Sequence, residues 1–275
     1  MTTPAQVRPR RRRKPPRPVE VVSVGKINPR LISVELGGEA LSGFQLEAPT
    51  QHIKVFLPVE GQDAPTIPVA TEDGLAYPDD APRPIVRTYT PRRFNAETGT
   101  LEVQFVLHGD GPASDWAQKA KAGDKIAVGG PGGRFQLNLD AHRWWIAGDE
   151  SAIPAIATLL EALPPTAIAD VHLEIGEATD QLDLKTPAKA TITWHRRSEP
   201  EAWGEVLLEA AEHASIGKQT QVWAACEASA VRRIRRHFLT ERGLEPSSVT
   251  TRGYWRLGSA NHPDHDYGDG DPGSV

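Results

Sequence analysis

Apolar and polar residues alternate in six short runs through the first half of the chain, at residues 19–27, 30–36, 52–57, 86–92, 100–107 and 125–129. A period of two turns one side of each run toward a core and the other toward water, so the runs predict half-buried strands. The turn Asn95-Ala96-Glu97-Thr98-Gly99 predicts a hairpin between the fourth run and the fifth. Six strands separated by turn residues predict a small antiparallel barrel over residues 19–139. Residues 58–84, rich in Pro, Gly and Asp, predict a long surface excursion, and residues 113–122 a short helix ending at Gly123. Gly129-Gly130-Pro131-Gly132-Gly133 fits either a close approach of backbone to a ligand or a flexible connection.

Near Asp140 the period changes. Short apolar runs at 143–147, 170–175, 190–194 and 221–225 alternate with helical patterns at 152–163, 201–214 and 228–242. That alternation predicts a doubly wound parallel sheet with both faces covered, over residues 140–258. The fold class is thus a β-barrel followed by an α/β unit. A basic tail (1–18) and an acidic tail (259–275) flank the two and predict disorder by composition. In open α/β sheets ligands gather at the carboxyl ends of strands. Gly148 to Ser151, Glu177, His195 to Ser198 and Cys226 to Ser229 all fall at such ends.

Composition narrows the classes. With 39% hydrophobic and 24% charged residues the chain reads as soluble and globular. No apolar run reaches the ~18 residues of a membrane span and no apolar signal follows Met1, which predicts a cytoplasmic protein with no membrane partner. The basic tail holds seven Lys and Arg and no acid, leaving 24 basic against 36 acidic residues elsewhere. An acidic body argues against nucleic acid as a partner, and any anionic ligand there must find a local basic cluster. A single cysteine, Cys226, excludes an intramolecular disulfide and a four-cysteine metal site. The histidines of the folded body show no metal-ligand spacing, and His262 and His265 lie in the acidic tail, so no metal site is assigned. Arg232, Arg233, Arg235 and Arg236 predict a solvent-facing helix side.

Chemistry concentrates first in Arg87-Thr88-Tyr89-Thr90-Pro91-Arg92. On a strand Arg87 and Tyr89 share one face and Thr88 and Thr90 the other. A guanidinium can fork onto a phosphate, a phenol ring can lie on a flavin, and a threonine hydroxyl or its amide can reach a ring nitrogen. An ordinary half-exposed strand has similar composition, so the stretch alone leaves both readings open. The next segment tilts the balance: Gly109, Gly111 and Pro112 lead into a helix whose N–H groups and dipole suit a pyrophosphate, with the Ser114 hydroxyl as a further donor.

In chain order RTYTPR, HGDGPASDWA, GDKIAVGGPGGRF, WWIAGDESAIPAI, WAACEASAVRRIRRHF and GYWRLG resemble the siderophore-interacting proteins, over about residues 19–258. These are FAD-dependent ferric-siderophore reductases of the ferredoxin-reductase superfamily. The resemblance implies FAD held by Arg87, Thr88, Tyr89, Thr90, His108, Gly111, Ala113 and Ser114. It places NADPH or NADH at Gly148, Asp149, Glu150 and Ser151, with Cys226 and Glu227 across the crevice. No G-x-G-x-x-G is present. His195, Arg196 and Arg197 fit either a 2′-phosphate of NADPH or an exposed basic turn. Cys226 stands where the family usually has glycine, and a side chain there can crowd the nicotinamide or lower affinity for it. Lys54, Arg134, Arg252 and Arg256 are candidate contacts for an anionic ferric siderophore. Tyr254 and Trp255 fit either interdomain packing or a cap over flavin or substrate. Reduction weakens iron's hold on hard oxygen ligands, so no protein ligand for iron is required. A general flavin reductase, a ferredoxin-linked carrier and a non-catalytic siderophore-binding protein are the alternatives. A monomer is expected, with ferredoxin as an alternative electron donor.

Overall fold

The computed structural model describes residues 14–259, except 73, 108–110, 134, 198, 200 and 201. Nine strands fall in the first half: β1 (Arg17–Asn28), β2 (Leu31–Gly37), β3 (His52–Leu57), β4 (Val69–Thr71), β5 (Gly74–Ala76), β6 (Ile85–Tyr89), β7 (Pro91–Asn95), β8 (Thr100–Val106) and β9 (Lys125–Gly132). β4 and β5 form a small hairpin within the surface excursion. The other seven make one antiparallel sheet in the order β6-β3-β9-β1-β2-β8-β7.

Six barrel strands were expected and seven are found, because the run at 86–92 is two strands rather than one. Pro91 has no N–H to give a ladder and restricts the residue before it, so the strand breaks at Thr90. The two halves then pair at opposite ends of the sheet, β6 with β3 and β7 with β8. A single residue separates the sheet's two edge strands, which obliges the sheet to curl back on itself as a barrel. Its interior follows the period-two reading: Leu101, Val103 and Phe105 of β8 are fully buried, as are Ile53, Val55 and Leu57. Helix α1 (Pro112–Lys119) adds Ala113, Ala117 and Trp116 to this core, the Trp116 ring lying 5.5 Å from that of Phe105. The glycine-rich run is the end of β9, with His52 opposite Gly132 and Lys54 opposite Gly129. Gly130 and Gly133 take φ of 106° and 124°, a region closed to most side chains.

Strands β10 (Arg143–Gly148), β11 (Ile168–Ile175), β12 (Lys189–Arg196), β13 (Gln221–Glu227) and β14 (Val249–Trp255) form an all-parallel sheet in the order β12-β11-β10-β13-β14. Helix α2 (Ile153–Ala162) covers one face, where Trp144, Ile146, Trp223 and Ala225 are buried. Helices α3 (Glu205–Glu212) and α4 (Ala228–Arg236) cover the other, over Trp145, Ala147, Ala224 and Cys226. Both flanking helices come out shorter than their periodicity suggested, and α4 continues as a π-helical turn over His237–Glu241. The arginine-rich side of α4 is not uniformly solvated: Arg235 is buried and donates to the Val249 carbonyl at 3.0 Å.

Strand order reverses between β10 and β13, which opens a crevice at their carboxyl ends. Polar bonds join the barrel to the α/β unit. Arg92 forks onto Glu161 at 2.9 and 2.5 Å, the Thr50 amide donates to Thr158 Oγ1, and Asn28 donates to the Asp180 carbonyl.

Candidate functional site

On the barrel side, register decides which way the clamp residues point. Arg87 and Tyr89 pair with Val55 and Ile53, both fully buried, so these four side chains share the core-directed face. Thr88 pairs with Lys54 on the opposite face, where Lys54 Nζ donates to Thr88 Oγ1 at 2.8 Å. The Tyr89 ring packs 4.4 Å from Phe105, and burial raises its phenol above the ordinary value. Arg87 donates through Nη1 to the neighbouring Val86 carbonyl. Thr90 is buried and its side chain bonds Tyr254 of β14, whose phenol burial pushes up to about 12. The hydroxyl expected at a flavin nitrogen is thus bonded to the α/β unit.

At the other end of the cradle, Gly111 is extended, Pro112 occupies the first helical position, and Ser114 falls in the first turn of α1. Ser114 is buried and its hydroxyl finds no partner among the described residues. Leaving a buried hydroxyl unbonded costs about 1–3 kcal/mol, a deficit that a phosphate oxygen at the helix N-terminus would remove. This donor set fits a ligand bearing a pyrophosphate. His108 lies outside the described residues.

A second group gathers around His52 of β3, beside the glycine-rich end of β9. His52 and Lys54 are two residues apart on β3 and so face the same way. The His52 ring lies against Gly132, where a Cβ would stand 2.9 Å from Nε2. Its pKa is lowered by burial first, then by the charges of Lys54 and Arg252. Lys54 and Arg252, one from each sheet, thus set a cationic field at His52. Sequence reasoning missed His52, although its spacing from Lys54 on a strand carried the signal. Arg256 is exposed just past β14, and Arg134 lies outside the described residues.

The crevice of the parallel sheet is acidic and internally paired. Gly148 is required by packing: a Cβ there would meet Ala152 Cβ at 2.6 Å and the Ala225 carbonyl at 2.8 Å. Asp149 accepts from the Ser151 amide and hydroxyl at 3.0 and 2.5 Å and from Trp255 Nε1 at 2.7 Å. Burial, then the charge of Glu150, raises its carboxyl to about 6. Arg197 is buried, bonds Glu174 at 2.6 Å and Glu150 at 2.8 Å, and stacks 3.7 Å from the Trp203 ring centroid. Glu174 is fully buried, and burial raises its carboxyl to about 7 despite Arg197. Arg30, from the turn between β1 and β2, reaches over Gly176 toward Glu150 and Asp180 at 4.0 and 3.7 Å.

The three basic residues after β12 diverge. His195 bonds His172 at 2.9 Å, Arg197 is held by the two glutamates, and exposed Arg196 pairs with Glu177 at 3.0 Å. Glu227 caps α4 by accepting from the Ser229 and Ala230 amides. Cys226 points into the layer under α3 and α4, its thiol raised well above the ordinary range by burial and by Asp149, Glu174 and Glu227. The thiol lies about 4.0 Å from where a Cβ on Gly204 would stand, on the side of the strand away from α2. Ser198 lies outside the described residues.

Comparison with known proteins covers both halves. The family model described as siderophore-interacting FAD-binding domain matches residues 20–135, and the one described as siderophore-interacting protein matches residues 141–258. The chain is 31% identical over 255 residues to the ferric vibriobactin reductase ViuB of Vibrio cholerae, covering 91% of this chain and 93% of that one. It is 30% identical over 244 residues to the NADPH-dependent ferric-chelate reductase of Escherichia coli, covering 87% and 92%. The crystal structure of a siderophore utilization protein from T. fusca superposes with a TM-score of 0.82 at 36% identity, covering 91% of this chain and 96% of that one.

Proposed function

The chain belongs to the siderophore-interacting protein family, and from that premise we propose that it passes electrons from NAD(P)H through FAD to an Fe(III)-siderophore, releasing iron as Fe(II). The observation that carries this reading is the division of labour on β6. Arg87 and Tyr89 face the cradle that ends at the unsatisfied Ser114 hydroxyl, while Thr88, one residue away, faces Lys54 and its cationic cluster. This supports a phosphate-bearing cofactor and an anionic chelate sharing one strand.

In this reading Arg87, Ser114 and the Gly111 and Ala113 amides hold the FAD pyrophosphate, Tyr89 borders the ring system, and Thr88 and Thr90 meet its edge through backbone, since their hydroxyls bond Lys54 and Tyr254. His108 completes the set. When bound, the flavin supplies the capacity to take two electrons as hydride and release them singly. The dinucleotide docks at the β10–α2 turn, which starts at Gly148 packed tightly against Ala152 and Ala225, with Asp149, Glu150 and Ser151 shaping that turn and Cys226 and Glu227 opposite. Arg196, exposed beside the crevice, is the contact for a 2′-phosphate, which favours NADPH. Lys54, Arg134, Arg252 and Arg256 attract the chelate, and their field is local because the body around them is acidic. Iron needs no ligand from the protein: it arrives and leaves as substrate. A monomer working in the cytoplasm belongs to the same proposal, with ferredoxin as an alternative donor. Among the described residues no helix is long and apolar enough to cross a membrane.

Anaerobic mixing of the FAD-loaded protein with NADPH, NADH or reduced ferredoxin, followed by a ferric tris-catecholate or a ferric hydroxamate, tests the scheme. Flavin bleaching by a nicotinamide and recovery on adding chelate, with Fe(II) trapped by a colorimetric chelator, is the expected course. Rapid reduction of free flavin or ferricyanide without reduction of either ferric chelate would overturn the substrate.

A further inference from the structure

Two members of the cationic cluster, Lys54 and Arg252, carry permanent charge, but His52 does not. Its imidazole lies between them and the glycine-rich end of β9. The groups around it come from three elements: Lys54 on its own strand, Arg252 from β14, and from β9 a wall of backbone without charge, Gly129 to Gly132. The strand on its other side, β6, presents the neutral Thr88 to this face. With two cations beside it and no acid among the described groups acting on it, the ring is kept neutral at neutral pH. An anionic chelate seated against Lys54 and Arg252 reverses that balance. A ferric tris-catecholate is a trianion, so it offsets both cations and favours the imidazolium.

We propose that His52 takes up a proton when an anionic ferric chelate binds beside Lys54 and Arg252, and hands that proton to a chelate oxygen as the iron is released. This deepens the reductase reading and rests on it. One electron from the reduced flavin converts Fe(III) to Fe(II). An iron–oxygen bond then opens with its electron pair left on the oxygen, and that oxygen takes the imidazolium proton. The imidazole ends neutral, as it began. Protonating the freed oxygen stops it from recapturing iron, so the proton makes the release one-directional. The ring lies close against Gly132, where a Cβ would stand 2.9 Å from Nε2 and so displace the imidazole.

The test is calorimetric titration of the oxidised, FAD-loaded protein with a hexadentate ferric tris-catecholate, near pH 7, in buffers of different ionisation enthalpy. Wild type is expected to take up close to one proton per chelate bound, and His52→Gln none. Across the pH range where His52 titrates, chelate affinity in wild type should fall by up to about tenfold per pH unit as pH rises, the slope for one linked proton. The His52→Gln profile should be flat, with its flavin absorbance unchanged. Binding to wild type without proton uptake overturns the proposal, and so does wild-type uptake by His52→Gln. Should His52→Gln fail to fold, Gly132→Ala, which sets a methyl against Nε2, must lower the uptake. Absence of any binding by wild type would instead sink the substrate reading beneath it.

Discussion

In the proposed scheme the barrel cradle and the crevice of the parallel sheet each receive a dinucleotide, yet they treat their own polar groups in opposite ways. In the cradle the Ser114 hydroxyl is buried without a partner among the described residues. In the crevice Arg197 satisfies Glu150 and Glu174, Asp149 accepts three bonds, and Glu227 caps a helix. The difference matches two modes of occupancy. A cofactor that stays can be an integral part of the packing, so a donor can be left for it alone. A cosubstrate that comes and goes must leave behind a surface that is stable without it.

Removing a crevice group should therefore damage the fold, whereas removing a cradle group should damage only cofactor retention. The largest expected effect is from Arg197→Ala, which strands two buried carboxylates. It should cost about 3–5 kcal/mol in urea unfolding of the apoprotein. A loss under 1 kcal/mol would mean that the network is not held as described. Arg87→Ala should leave apoprotein stability nearly unchanged and weaken FAD binding by about 1.5–3 kcal/mol, read by fluorescence titration of the apoprotein with FAD. Smaller again, Ser114→Ala should cost FAD affinity about 0.5–1.5 kcal/mol while the apoprotein becomes no less stable, since an unsatisfied hydroxyl disappears. If Ser114→Ala destabilises the apoprotein as much as the holoprotein, the cradle is no more open than the crevice.

The subtlest difference is in pH dependence. The carboxyl of Glu174 is raised in the folded state to about 7 from an ordinary 4.5, so the folded state binds the extra proton between those values. Its contribution to stability is present in full below about pH 4.5 and is lost as pH rises through about 7. Glu174→Gln keeps a polar partner for Arg197 and the Gly204 amide but cannot ionise. It should flatten the fall in apoprotein stability across that window, measured as unfolding midpoints at closely spaced pH values. Equal slopes for wild type and variant would show that this acid ionises as freely folded as unfolded.

The strands themselves were legible, because a period of two needs only local sequence. Leu101, Val103 and Phe105 announce the inner face of β8 before any partner is known. The break at Thr90 was not legible, since alternation runs on through Pro91 and only barrel closure, a non-local demand, separates the halves. The crevice was placed by strand order alone, but the occupation of Arg197 by Glu174 depends on the β11–β12 register, which sets Glu174 opposite His195. A carboxylate in the apolar run Val171-His172-Leu173-Glu174-Ile175 was the available hint that a buried cation lay near. Thr90 and Arg252 were identified as contact residues, yet their meeting with Tyr254 and His52 joins distant parts of the chain that no window of sequence spans.

The lone residue between β6 and β7 also sets where this chain can change its length. Because side chains alternate, one residue added between Tyr89 and Pro91 leaves the closure a choice between two errors. Either β7 slips against β8 and turns Phe94 outward from its contact with Phe44, or the extra residue bulges out and Thr90 loses its bond to Tyr254. The β4–β5 excursion immediately upstream carries no such constraint: its hairpin pairs only with itself. Insertions, tags or fused domains are therefore best spliced near the β4–β5 turn, and a library that varies length at Thr90 should return almost no folded members.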